Sequence, residues 1–215
     1  MQSPCLSAKT MFIDLSHTFS HKMPVYPDEV PPVFERIASI NEDGYNLEVL
    51  HTSLHVGTHV DAPYHFLNDG APISDIDLKR FVGRGLLIDA RGRKEVGLDL
   101  FEHQSIRNGD VVLVMTGFDE HFGTSRYYKE YPQFTESVAR YLVDKKITMV
   151  GVDSPGPDYA PYPLHPILLK AGVMILENLT GLNQLIGVDE FRVMAFPAKF
   201  KASGAPVRVV AEIVL

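Results

Sequence analysis

His55-Val56-Gly57-Thr58-His59-Val60-Asp61-Ala62-Pro63-Tyr64-His65 gathers three imidazoles and a carboxylate into eleven residues. Imidazole nitrogen and carboxylate oxygen are ligands for first-row transition metals, and Gly57 lets the backbone bend beneath them. Geometry restricts the shape. In a straight strand His55, His59, Asp61 and His65 share a face, but at about 3.3 Å per residue His55 and His59 lie roughly 13 Å apart. Metal–nitrogen bonds of about 2 Å do not span that gap. Gly57, Thr58, Val60 and Pro63 argue against a long helix. The run therefore predicts a strand end that folds over at Gly57-Thr58, with room for one helical turn, and a metal-dependent active site. A histidine-rich surface loop is the competing reading, but it does not explain why Asp61 and Pro63 also fall at useful spacings.

Working outward, Phe12–Ser16 reads as a short strand, and the proline-rich stretch from Met23 to Pro32 as a loop. Tyr45–Ser53 reads as a strand leading into the histidine run, and Asn68-Asp69-Gly70 as a turn. Gly85–Asp89 and Asp110–Met115 are apolar enough for buried strands, with a short helix expected at Asp99–His103 between them. Phe134–Lys146 is the clearest helix: Thr135 can cap it, Val138, Tyr141 and Leu142 form its apolar stripe, and Lys145-Lys146 suit its end. Ile147–Val152 follows as a strand, completing a βαβ unit. His165-Pro166 opens a short helix that Gly172 closes. Val173–Leu179 is then a strand and Thr180–Ile186 a short helix. Phe191–Phe196 and Val207–Leu215 form a closing strand pair around Ser203-Gly204. The pattern predicts an α/β or α+β fold with more strand than helix.

The 215 residues suffice for one core-forming domain, expected over 11–215 after a flexible tail at 1–10. A net charge of −7 without a basic run disfavours nucleic acid and anionic membrane as partners. The single cysteine, Cys5, excludes an intrachain disulfide and fits a cytoplasmic location. No apolar run approaches the length of a membrane span.

In the strand Val173–Leu179, Val173, Ile175, Glu177 and Leu179 share one face. A carboxylate there is costly unless donors or a cation meet it, so Glu177 either sits at a solvent-facing sheet edge or ligates a metal. His165 opens the helix before that strand and can converge with Glu177; an exposed loop histidine or helix-capping donor is the alternative.

The pattern His-x-Gly-Thr-His-x-Asp-x-Pro-x-His from His55 to His65 resembles the signature of the metal-dependent cyclase family, which includes kynurenine formamidases (arylformamidases) and isatin hydrolases. Asp14-Leu15-Ser16-His17, Pro24-Val25-Tyr26-Pro27, Gly151-Val152-Asp153-Ser154 and Ile175-Leu176-Glu177-Asn178-Leu179 are similar to other family segments. The resemblance implies a swivelling β/β/α fold with a mixed, barrel-like sheet and peripheral helices. It implies metal ligands at His55, His59, Asp61, His165 and Glu177, a catalytic acid/base at His65, and a homo-oligomer, a dimer. One departure affects substrate choice: where kynurenine formamidases commonly carry Val-Trp-Pro-Gly-Asp, this chain reads Val25-Tyr26-Pro27-Asp28-Glu29. N-formylkynurenine is therefore one candidate substrate among several.

Five ligands including two carboxylates exceed the needs of one tetrahedral zinc, so two ions, zinc or manganese, are expected. Such ions activate water towards attack on an amide carbonyl, and His65 can move the proton that the leaving nitrogen needs. No Gly-x-Ser-x-Gly elbow is present. Tyr26, Phe66 and Phe118 can serve as an aromatic pocket wall or as core. His17, His21, His103 and His121 read as surface histidines. The expected activity is metal-dependent hydrolysis of the C–N amide bond of a small aryl formamide or cyclic amide. Its rivals are a non-catalytic metal-dependent binding protein and a lactone or other ring-opening hydrolase.

Overall fold

The apolar run after Asp110 forms the middle of the molecule. A computed structural model describes residues 10–214; Cys5 and most of the stretch read as a tail lie outside the described residues. In chain order the strands are β1 (Thr10–Asp14), β2 (Val33–Ala38), β3 (Leu47–His51), β4 (His59–Asp61), β5 (Val82–Asp89), β6 (Glu95–Val96), β7 (Val111–Met115), β8 (Gln133–Phe134), β9 (Met149–Val152), β10 (Met174–Glu177), β11 (Arg192–Met194), β12 (Gly204–Pro206) and β13 (Val210–Val214). The helices are α1 (Ile40–Asp43), α2 (Glu136–Asp144) and α3 (Leu164–Lys170). Nine strands form one curled, half-barrel sheet in the order β1-β13-β11-β5-β7-β9-β10-β4-β12, giving a mixed α+β fold.

The sheet is parallel in its centre, through β5, β7, β9 and β10, and antiparallel on both flanks. Burial on both faces explains why β7 reads as an unbroken apolar run. Val111, Leu113 and Met115 point into one core with Val60, Met174 and Leu176. Val112 and Val114 point into the other, which Val138, Leu142, Leu164 and Leu168 of α2 and α3 close. The βαβ unit read from the sequence is β7-α2-β9, with β7 and β9 paired in parallel. As expected, Thr135 caps α2: its side chain accepts a hydrogen bond from the Val138 N–H. The closing pair is β11 against β13.

Several elements differ from the sequence reading. The strand of the histidine run follows Gly57 rather than preceding it, and its helical turn is a 3-10 turn at Pro63–His65, where proline starts the turn. Residues 33–38 form β2, which pairs with β3 in a separate two-stranded ribbon; Glu35 and Arg36 interrupt its apolar pattern. The region around Ser203-Gly204 is not only a turn: β12 pairs with β4 across the sheet edge, a contact without local signature. Leu98–Leu100 and Leu182–Leu185 make 3-10 turns in place of the short helices expected there. Leu179 does not share the face of Ile175. Asn178 adopts a left-handed φ of 55°, ending β10, and Leu179 turns into the opposite core.

Candidate metal centre

Strand β4 places His59 and Asp61, two residues apart, on one face, while Val60 packs into the core behind. Its neighbour β10 runs antiparallel in a register that sets Glu177 directly opposite His59. Cross-strand partners lie close enough for their side chains to meet. His59 Nε2 is 3.3 Å from Glu177 Oε2 and 3.4 Å from Asp61 Oδ1. His165, in the first turn of α3, brings Nε2 to 3.2 Å from Glu177 Oε1 and 3.7 Å from Asp61 Oδ2. The bent segment before β4 returns His55, whose Nδ1 lies 2.7 Å from Asp61 Oδ1. His65 comes from the Pro63–His65 turn and stacks on His55 with ring centroids 3.8 Å apart. All six residues read from the sequence thus converge, and Glu177 is buried rather than at a wet sheet edge.

Gly57 makes the bend possible. Its φ is 61°, and a Cβ there would stand 2.9 Å from Met23 Cε. The fixed ring of His59 depends on this turn, because its Nδ1–H donates to the Gly57 carbonyl at 2.9 Å. His165 is held similarly: Nδ1–H donates to Asp158 Oδ1 at 2.6 Å, and Asp158 Oδ2 accepts from the Leu164 N–H at 2.5 Å. His55 Nε2 is 2.9 Å from Ser203 Oγ. Each imidazole therefore spends one nitrogen on the protein and turns the other towards the carboxylates, the pattern by which outer hydrogen bonds orient metal-binding histidines.

Among the described residues two groups of side chains have the spacing to hold an ion, His55-His59-Asp61 and Asp61-His165-Glu177, sharing Asp61. His59 Nε2 and Asp61 Oδ2 are buried and lack any hydrogen-bond partner. Orphaned buried atoms of this kind are costly, and a cation between them satisfies both. The donors therefore fit a divalent metal. Electrostatics agree. Burial disfavours the charged form of His165, yet the Asp158 and Glu177 carboxylates outweigh it and push its pKa up to about 10. Burial likewise opposes ionisation of Asp61, but His55 and His59 hold it well below the usual carboxylate range. The buried carboxylates demand positive charge. His65 differs, because burial pushes it below its ordinary value.

The centre floors a cavity of about 210 Å³. Tyr26 and Phe66 line it; Phe118 does not, being packed with Tyr127 and Tyr131 in an aromatic cluster. His17 stacks on Phe122, a wall residue, while His21 and His103 are exposed and His121 is half-buried against Phe118. Sequence reasoning missed Asp158, Ser203, Glu29 and the tyrosines 128, 131 and 162. Asp158 had a weak signal, an acid closing a Ser/Pro/Gly loop near His165. Ser203 had none, being 148 residues from its partner.

The family described as putative cyclase matches residues 13–159. A kynurenine formamidase from Bacillus mycoides is 31% identical over 210 residues, covering 94% of this chain and 97% of the relative. Isatin hydrolase A from Labrenzia aggregata, solved bound to benzyl benzoate, superposes with a TM-score of 0.85 at 26% identity, covering 96% of this chain and 94% of that one. A structure described as a predicted metal-dependent hydrolase from Bacillus stearothermophilus aligns at 31% identity and a TM-score of 0.78, covering 95% and 99%.

Proposed function

The chain belongs to the putative cyclase family, and from that premise we propose that it is a metal-dependent hydrolase cleaving the C–N amide bond of a small aryl formamide or cyclic amide. The observation that carries this reading is the pair of ligand groups joined at Asp61 beside His65, on the floor of a cavity. His55, His59 and Asp61 would hold one divalent ion; Asp61, His165 and Glu177 would hold a second. Zinc and manganese both suit imidazole and carboxylate donors. Bound there, the metal supplies Lewis acidity, polarising a carbonyl and acidifying water.

The chain's own residues supply the rest. Asp158, Ser203 and the Gly57 carbonyl keep the imidazoles aimed. His65 keeps its side chain partly exposed to the cavity, its Nε2 3.9 Å from Asp61 Oδ2. In this reading it takes a proton from attacking water and delivers it to the leaving nitrogen. Tyr26 and Phe66 flank a substrate ring. Ile37, Ile40, Leu47 and Leu50, all exposed on the β2–α1–β3 projection, support a homodimer. Among the described residues no helix is long and apolar enough to cross a membrane. The absence of any possible intrachain disulfide supports a cytoplasmic site of action.

The test is hydrolysis of formanilide, N-formylkynurenine, isatin and a simple lactone by protein stripped with chelator and then reloaded. Activity on a formamide or on isatin should vanish on stripping and return with zinc or manganese. Metal-loaded protein that cleaves none of them, or that cleaves only the lactone, overturns the amide-hydrolase reading.

A further inference from the structure

One charged group in the cavity belongs to neither ligand group and supports no ligand. Glu29 follows a tight turn in which its N–H donates to the Tyr26 carbonyl at 3.0 Å, while Asp28 is held at a left-handed φ of 72°. A non-glycine residue in that conformation is strained, so the turn is held in place by its surroundings. The turn delivers the Glu29 carboxylate to the cavity wall. Its Oε2 is buried without a hydrogen-bond partner, and so is the hydroxyl of Tyr128 on the same wall. A buried carboxylate oxygen left unpaired is costly, so a built site that leaves two polar groups open expects a third to arrive. Burial raises the Glu29 pKa from its ordinary value, in the direction expected for an acid awaiting a donor.

The charge of the cavity says what that donor is. Among the described residues its lining includes Glu29, Asp158 and Glu177 and offers no lysine or arginine to pair Glu29. In the reading above, Glu177 answers to metal and Asp158 to His165, which leaves Glu29 for the substrate. We propose that Glu29, assisted by the Tyr128 hydroxyl, is a specificity-determining residue that recognises a primary amino or ammonium group carried by the aromatic substrate. The assignment rests on the hydrolase reading for the word substrate, but its recognition chemistry does not depend on turnover.

The probes are 3-(aminomethyl)formanilide, cationic at neutral pH, and its neutral isostere 3-ethylformanilide. Metal-loaded wild-type protein should favour the cation by about tenfold in kcat/KM, the scale of one hydrogen bond to a charged group. E29Q should erase that preference and Y128F should reduce it. Calorimetry with 3-(aminomethyl)aniline and 3-ethylaniline reads the same preference as binding, on wild-type protein as well as on the variants. Equal binding of the two anilines by wild type, or a preference that survives in folded E29Q, overturns the assignment. A Glu29-dependent binding preference without hydrolysis of any formanilide sinks the hydrolase reading and leaves the recognition site standing. Hydrolysis of both formanilides without preference does the reverse.

Discussion

At the scale of single residues, the centre depends on Asp61 facing both ligand groups. Asp61→Asn weakens both at once, because a neutral amide has one acceptor oxygen and balances no charge. Glu177→Gln removes a carboxylate from one group only. Elemental analysis of protein purified without chelator should give about two metals per wild-type chain, near one for Glu177→Gln and near none for Asp61→Asn. A wild-type value near one, unmoved by Glu177→Gln, would leave a single His-His-Asp site. His65→Ala separates chemistry from binding: kcat should fall by about 10²- to 10⁴-fold while metal content stays at the wild-type level. Metal lost in step with activity would make His65 a ligand instead. Most of these residues were legible in the sequence because His55 to His65 is a contiguous run whose side chains meet by local bending. His165 and Glu177 were legible as a pair because a short helix and tight turn join them. Ser203 and Glu29 were not, since a serine or a glutamate in a loop is ordinary and only tertiary approach gives either one a role.

At the scale of elements, one loop and one segment carry testable weight. The loop after β9 passes so close to the centre that a Cβ on Gly156 would lie 2.6 Å from Glu177 Oε1 and 3.7 Å from His165 Cε1. Gly156→Ala must therefore displace the Glu177 carboxylate, and metal affinity in a chelator titration should drop by roughly 10- to 100-fold, the range for disturbed outer-shell support. Unchanged affinity would mean the loop yields at no cost. The segment after β1 docks by stacking His17 on Phe122, leaving His17 Nε2 buried and unpartnered. Burial lowers the His17 pKa against a weaker upward pull from Asp119. Its folded pKa lies below the unfolded value near 6.5, so its contribution to stability is present above that value and is lost as pH falls through the folded pKa. His17→Phe, which keeps the stack, should flatten part of the fall in urea midpoint on the acid side of about pH 6.5. An identical acid profile in the variant would show that His17 titrates freely. Buried central strands and the capped helix α2 were readable because periodicity and capping are local. Strands β2 and β12 were not: charged residues break the pattern of the first, and the second exists only through its pairing with β4.

At the scale of the whole molecule, the nine-stranded sheet brings the candidate centre together. Four of its five candidate ligands stand on β4, on β10 and on the helix that feeds β10, between two apolar cores, and His55 stands on the bent segment before β4. Phe12, Val30 and Leu78 leave large apolar side chains in solvent, and the β2–β3 ribbon adds several more. The ribbon pairs only with itself, and Ile37, Ile40, Leu47 and Leu50 on it are 45–62% exposed. A two-stranded hairpin is marginal in water on its own, and large apolar side chains left exposed on it suit an association site. A second copy of the chain satisfies both demands if each ribbon lies against the other protomer, and a two-fold arrangement closes the contact without leading to a filament. Light scattering on purified protein should therefore give a mass near twice that of the 24.0 kDa chain. The double variant Ile37→Asp, Leu50→Asp places charges in the contact and should shift the mass towards one chain at micromolar concentration. Because β3 leads within four residues to His55, the monomeric variant should also lose metal affinity as the ribbon loosens. A wild-type protein that is monomeric and fully active at the same concentration would remove the dimer and leave the exposed ribbon without a partner.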